Sequence, residues 1–488
     1  MNKTVNVIGS GFSGLTSSAL LAKEGFEVNL FEKNSTTGGR ARQFSENGFL
    51  FDMGPSWYWM PEVFERFYNQ FGKTTKDFYD LKLLEPGFRV YFGQDDYLNI
   101  PSSYENLKEL FENIEPGASA QLDRFMQDAK VKYDLGINDL VYKPGKSLME
   151  YMNSKVILGT LKHRVFQRFD KHVRSYFKDP KLISLMEFPI LFLGAMPKDT
   201  PALYSLMNYA GLKLGTYYPM GGFGNVIKAF EQIARDQGVH IHTNVPIDKI
   251  EISEGKVTGL RMNGDEFKSD TVIAATDYHH VEQHLLSPQH RTYSEKYWDS
   301  RVFAPSSLLF YLGVKKKIQN LEHHNLFFDE SLEEHAIEIY KTPKWPSKPL
   351  FYACVPSKTD PEVAPEGMEN IFLLMPIAPG LTDEEDLREK YYDIIMKRLE
   401  AHTGEDIRDH VVVKKSYSVK NFEKDYNAYK GNAYGLANTL LQTGPLKPKM
   451  QSKKVKNLYY TGQITVPGPG VPPSIISGEV VAKLIRNQ

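Results

Sequence analysis

The sequence predicts an α/β fold in which a dinucleotide-binding domain is interrupted by an inserted α+β domain. Three stretches predict it: a strand, glycine-rich turn, helix and strand in the first forty residues, a helix-and-strand stretch within 215–290, and a strand, turn and helix after 450. Val5-Asn6-Val7-Ile8 is a short apolar β-type run, and Gly9-Ser10-Gly11-Phe12-Ser13-Gly14 follows at once. Leu15 to Lys23 reads as a helix, closed by Gly25, and Val28 to Phe31 reads as a second strand with Glu32 at its end. In such a βαβ unit Gly9 permits the tight turn, Gly11 lets a pyrophosphate approach the backbone, and Gly14 lets the helix pack on the strand. The helix start offers unpaired N–H groups to phosphate. Glu32, beside Lys33, can accept hydrogen bonds from a ribose diol. A glycine-rich turn alone is a weak signal; its position between a strand and a helix, with an acid ending the next strand, argues against a merely structural turn.

The second stretch starts at Tyr217-Tyr218-Pro219-Met220-Gly221-Gly222-Phe223-Gly224 and continues as a helix, Asn225 to Gln237, with Ile227, Phe230, Ile233 and Ala234 as its stripe. Val239 to His242 alternates as a strand, Val245 continues the extended pattern, and Lys249–Ser253 with Lys256–Met262 reads as a hairpin around Glu254-Gly255. Thr271 to Asp277 is a buried strand that carries Ala275 near its end. The third stretch has a strand, Asn457 to Gly462, a rigid turn from Gln463 to Pro473, and a helix from Ser474 to Ile485. The dinucleotide domain is therefore expected in three pieces, 1–84, 215–290 and 450–488. The second domain takes 85–214 and 291–449, with Ser307–Val314 and Asn370–Met375 as sheet strands.

Composition sets the bounds. At 488 residues the chain is too long for one ordinary domain, and 41% hydrophobic with 24% charged residues excludes wholesale disorder. Basic and acidic residues number 59 and 60, so no global basic excess points to nucleic acid. One cysteine, Cys354, excludes an intrachain disulfide and any cysteine cluster for a metal. The first residues lack the pattern of a signal peptide, and no apolar run approaches the roughly 20 residues of a membrane-spanning helix. These features predict a soluble protein of a reducing compartment. No Ser/His/Asp set or helix-borne metal pattern stands out; His279-His280 reads as a loop pair, no metal is expected, and no catalytic residue can be named. Aromatics reach 12%, with 29 Phe and 28 Tyr, an excess that calls for a use.

Gly38-Gly39-Arg40 resembles the second dinucleotide motif of flavoproteins of the glutathione-reductase type, and Phe51-Asp52-Met53-Gly54-Pro55-Ser56-Trp57 resembles the loop under their flavin. These two additions imply FAD rather than NAD. Nearly end to end, the chain resembles the phytoene-desaturase-type carotenoid desaturases of the amine-oxidase superfamily. The C-terminal NLYYTGQITVPGPGVPPSIISGEVVA is the most distinctive match. The resemblance implies non-covalent FAD, a long polyene substrate and removal of hydrogen from a carbon–carbon single bond. It implies that Gly9, Gly11, Gly14, Glu32, Gly39 and Arg40 hold the ADP half, that Gly54, Pro55 and Ser56 lie near the flavin, that Val245 contacts the adenine through its backbone, and that Lys33, Trp57 and Ala275 also bind the cofactor. Gly462, Gln463, Pro472, Pro473 and Ser474 would lie along the flavin and diphosphate. Val466 departs from the histidine that many members carry before the Pro-Gly of the last motif, here Pro467-Gly468.

The likeness leans toward the 1'-hydroxycarotenoid 3,4-desaturase branch, whose substrate carries a terminal hydroxyl; a polar side chain at the tunnel's end is then expected to recognise it. Alternatives are a phytoene desaturase, an amine oxidase or protoporphyrinogen oxidase relative, a polyene isomerase of the same fold, and a non-catalytic carotenoid carrier. Quinone or oxygen would reoxidise the flavin. A long isoprenoid gains about 0.8 kcal/mol per buried CH₂ by staying in lipid. The enzyme is thus expected in the cytoplasm, attached to the membrane surface, with a tunnel in which Trp57, Tyr58, Phe188 and Phe192 are candidates. Residues 154–181 combine Lys and Arg with aromatics at helical spacing, which suits either a membrane-surface helix or a lid.

Overall fold

The computed structural model describes residues 3–151 and 165–488. Its first sheet is parallel and five-stranded, ordered Leu458–Tyr460, Thr271–Ala274, Thr4–Ile8, Glu27–Phe31 and His240–His242. Helix Phe12–Lys23 packs against both Phe223–Asp236 and Val471–Arg486. Burial on all sides explains its composition: Leu15, Ala19 and Leu21 are buried, and so are the small Ser13, Thr16, Ser17 and Ser18. Gly478 makes the C-terminal helix fit, because a Cβ there would stand 2.6 Å from the Ser13 carbonyl. By contrast Phe223–Asp236 is amphipathic and buries Val226, Ile227, Phe230, Ile233 and Ala234.

Two of these helices start earlier than the apolar pattern suggests. The first begins at Phe12, inside the glycine motif, and the last at Val471, with Pro472 and Pro473 in its opening turn where no N–H is needed. The expected hairpin is present as Lys249–Ser253 with Lys256–Met262, and Glu254 takes a φ of 50° at its turn. A third strand, Asp265–Lys268, extends it.

A seven-stranded sheet forms the second layer, ordered Val411–Tyr417, Ser306–Val314, Glu369–Ile377, Phe351–Cys354, His324–Phe327, Phe88–Gly93 and Asp96–Ile100. All its pairs are antiparallel except His324–Phe327 with Phe88–Gly93. Ser306–Val314 is buried throughout, and its side chains alternate between two cores. Leu308, Phe310 and Leu312 pack with Ile395, Met396 and Leu399 of helix Glu385–Thr403. Leu309 and Tyr311 face the core shared with helix Phe12–Lys23. One face of this sheet is therefore sealed by a helix, and the other is turned toward the parallel sheet.

The described residues between Tyr104 and Lys213 are mainly helical. Of the basic stretch 154–181, residues 154–164 lie outside the described residues. The remainder is not one amphipathic helix: it forms a short helix, Phe169–Arg174, then a turn, and Pro180 opens another helix ending at Glu187. Phe169, Val173 and Phe177 are spent on the main core, so this part of the stripe is not available to a membrane. No helix among the described residues is long and apolar enough to cross one.

Candidate active site

A cavity of about 1260 Å³ lies between the two sheets. One end sits at the C-terminal edge of the parallel sheet, lined by residues that follow its strands: Gly9, Glu32, Val245, Ala275 and Gly462. Ligands of open α/β sheets bind at this edge. The other end lies against the seven-stranded sheet, at Leu309, Leu326, Tyr352, Phe372 and Leu374.

Backbone geometry builds the first end. Gly9 has a φ of 101°, and a Cβ there would meet the Ala275 carbonyl at 2.8 Å. Gly14 does not line the cavity; a Cβ on it would stand 2.0 Å from the Gly9 carbonyl, so its task is to let the helix close on the strand. Gly11 has open space where a Cβ would be, beside the first turn of helix Phe12–Lys23. Gly39 also lines this end, and its φ of 55° brings it against Gly11.

Glu32 is buried, and its two oxygens are held in place. One accepts from the Ser10 N–H and Oγ, at 3.1 and 2.6 Å, and the other from the Asn34 N–H and Nδ2, at 2.9 and 2.8 Å. Lys33 lines the cavity, but its ammonium bonds the Lys424 carbonyl at 2.5 Å and Asn427 Oδ1 at 3.0 Å, which anchors the 424–427 loop. Burial pushes its pKa down. Arg40 donates to the Asn432 carbonyl at 3.3 Å and lies 5.0 Å over the Tyr426 ring. Its buried Nε has no partner among the described residues. Asp277 also lines this end, its carboxyl pushed up by burial. A glycine cradle at a helix start, with Arg40 lining the same end of the cavity, fits a diphosphate, to which the guanidinium would donate.

Gly54, Pro55, Ser56 and Trp57 line the middle, opposite Gly462, Gln463, Pro472, Pro473 and Ser474. Ser477 Oγ fixes the second group by accepting the Gly462 N–H at 3.0 Å and bonding Thr461 and Thr465. Val466 is buried among the lining residues and brings no titratable group.

The far end is apolar. Trp57 and Phe188 line it, together with Trp59 and Met60. Tyr58 does not. It is fully buried on the other side, its ring stacked 4.2 Å from Phe64 and its hydroxyl 2.9 Å from that of Tyr79. Successive side chains of an extended segment point to opposite sides, so Trp57 and Trp59 reach the cavity and Tyr58 reaches the core. Phe192 lies in the 3-10 turn Phe188–Leu193, and its side chain is outside the described set. Phe166 and Leu446 line the cavity and are 70% and 48% exposed, which marks a mouth.

Several lining residues carry no sequence signal. Asn438 is one, buried with an Oδ1 that has no partner among the described residues. His280 is another, pushed down to about 4 by burial, while its neighbour His279 bonds Glu295 at 2.9 Å. Tyr352 is a third. Behind it His323, His324 and Cys354 bring donor atoms within 4.8 Å of one another. Each imidazole already uses its Nδ1, on Thr359 Oγ1 and on the Tyr352 hydroxyl, and burial pushes the thiol up to about 12. We read this group as a hydrogen-bonded core and assign it no metal.

Comparison with known proteins agrees with this geometry. The sequence matches the family described as flavin containing amine oxidoreductase over residues 12–486. It is 39% identical over 482 residues to a carotenoid 3,4-desaturase of Haloarcula japonica, covering 99% of this chain and 97% of that protein. It is 30% identical to a zeta-carotene-forming phytoene desaturase of Myxococcus xanthus, covering 99% and 93%. Among solved structures, putrescine oxidase bound to putrescine shares the fold with a TM-score of 0.65 at 12% identity, covering 100% of both chains. The chain belongs to the flavin-containing amine oxidoreductases, among the carotenoid desaturases of that superfamily.

Proposed function

We propose that this protein binds FAD non-covalently and introduces a carbon–carbon double bond into a long polyene, by 3,4-desaturation of a hydroxylated carotenoid. One observation carries the reading: a single cavity joins a glycine cradle and an arginine at one end to an aromatic and aliphatic channel at the other. Gly9, Gly11, Gly39 and Arg40 would hold the diphosphate, Glu32 the ribose, and Val245 and Ala275 the adenine side. Pro55, Ser56, Gln463 and Pro472 to Ser474 would frame the flavin ring. Bound there, the flavin supplies the hydride acceptor. The protein's part is to align the polyene with Trp57, Phe188, Leu309 and Phe372 and to keep water from a developing allylic cation. Non-covalent attachment is supported by Cys354, which is buried behind Tyr352 and does not line the cavity.

The domain division 1–84, 85–214, 215–290, 291–449 and 450–488, and a glutathione-reductase-type first domain, belong to the same proposal. The parallel sheet supports it by drawing strands from three separate stretches of chain. Phe166 and Leu446 at the mouth would meet the membrane surface on its cytoplasmic side and admit the lipid-dissolved substrate. Asn438 would bond the substrate's hydroxyl. Quinone or oxygen would take the electrons.

Product analysis in a host that makes several carotenoids tests this. A product with one more conjugated double bond supports desaturation. An isomer without net oxidation contradicts it, and unchanged polyene retained by the protein indicates a carrier.

A further inference from the structure

Desaturation releases a proton as well as a hydride, and the apolar half of the cavity offers few groups to receive it. Among the described side chains that the seven-stranded sheet contributes to the lining, Tyr352 alone titrates. It lies on the strand Phe351–Cys354 and reaches the loop that we place beside the flavin, with its hydroxyl 2.9 Å from Ser56 Oγ. The same hydroxyl is 2.6 Å from His324 Nδ1. The His324 ring is stacked on Trp57, with centroids 4.1 Å apart and planes 8° apart, and its buried Nε2 has no partner among the described residues. Burial holds His324 well below its ordinary pKa, so the ring is neutral and keeps a lone pair. Burial also holds the Tyr352 hydroxyl well above its own, so it stays protonated and can accept one proton only while giving up another.

We propose that Tyr352 receives the proton lost by the substrate and passes its own to His324. The inference rests on the desaturase reading. A flavin held beside Ser56 would supply the acceptor for one hydride of the substrate, with its two electrons. The neighbouring carbon–hydrogen bond breaks, its proton goes to Tyr352 Oη, and its electron pair becomes the new π bond. The Tyr352 O–H, which donates to Ser56 Oγ at rest, turns to His324 Nδ1 and gives up its proton there, and the imidazolium yields that proton to the quinone or oxygen that takes the two electrons. A weak base suffices, because a carbon–hydrogen bond beside a delocalised cation is strongly acidic. His324 acts through Tyr352 and is a positioning and relay residue; Tyr352 is the group that faces the substrate.

Two variants of the holoenzyme test this. Tyr352→Phe should lower kcat by roughly 100-fold, the low end of what a positioned acid or base contributes, with flavin content and KM nearly unchanged. His324→Asn keeps an acceptor oxygen for Tyr352 but cannot take a proton. The relay predicts a loss like that of Tyr352→Phe, whereas a histidine that only orients Tyr352 predicts the wild-type rate. Either variant turning over within about threefold of wild type overturns the relay. Should both fail to hold flavin, single-turnover product formation by wild type in deuterated buffer decides: slowing by roughly twofold supports proton transfer through exchangeable hydroxyls, and equal rates overturn it. A wild type that leaves every carotenoid unoxidised removes the desaturase reading and the relay with it, which separates the two failures.

Discussion

The two ends of the cavity are built by different means. The dinucleotide end is made by backbone: Gly9, Gly11, Gly14 and Gly39 lie within one short length of chain, and their task is to be absent as side chains. The polyene end is made by side chains: Trp57 comes from a loop and Phe188, Leu309, Tyr352 and Phe372 from four separate elements, and their walls offer the channel what many apolar residues can offer. A phosphate has a fixed shape and charge, so its seat tolerates little variation. A polyene asks only for length, dryness and a stop.

This difference predicts a graded response to substitution. The largest effect is expected for Gly14→Val, which drives a side chain into the Gly9 carbonyl; no flavin-loaded protein should be recovered, as read by the visible spectrum. Next is Arg40→Met, which removes the guanidinium donor; the lost charge-assisted bond predicts flavin binding weaker by roughly 10- to 100-fold in a titration of the apoprotein. At the polyene end, Asn438→Leu should leave flavin binding intact and cut the preference for a hydroxylated over a non-hydroxylated carotenoid by about tenfold or more, measured as the ratio of kcat/KM. If the wild type shows no such preference, the hydroxyl-recognition idea falls. Trp57 and Tyr58 sharpen the comparison further. Trp57→Ala should raise KM for the polyene, whereas Tyr58→Phe should leave KM alone and lower stability by about 1 kcal/mol through the lost bond to Tyr79. The smallest effect is expected at the mouth, where Phe166→Asp should reduce flotation with anionic vesicles while flavin content stays constant.

The same contrast explains what could be read in advance. The βαβ unit, the hairpin 249–262 and the C-terminal strand, turn and helix were legible because glycine, proline and period-specific apolar runs are local signals. The helix starts at Phe12 and Val471 were hidden by the glycines and prolines that normally mark loops. Trp57 and Tyr58 are adjacent and similar, and only the extended backbone between them decides which one reaches the cavity. The aromatic excess is divided in the same way: Phe188 lines the cavity, whereas Phe64, Tyr68 and Phe230 pack the core. Tyr352 and His324 lie on neighbouring strands of one sheet, a pairing that no short-range pattern encodes.

The central claim is that the cavity unites a flavin seat with a polyene channel. Anaerobic mixing of the flavin-loaded enzyme with its carotenoid tests it most directly. The account predicts that the flavin absorbance bleaches as the polyene band shifts to the red, one equivalent for one, in a single turnover. A flavin that stays oxidised while the polyene stays unchanged, or merely isomerises, would contradict it.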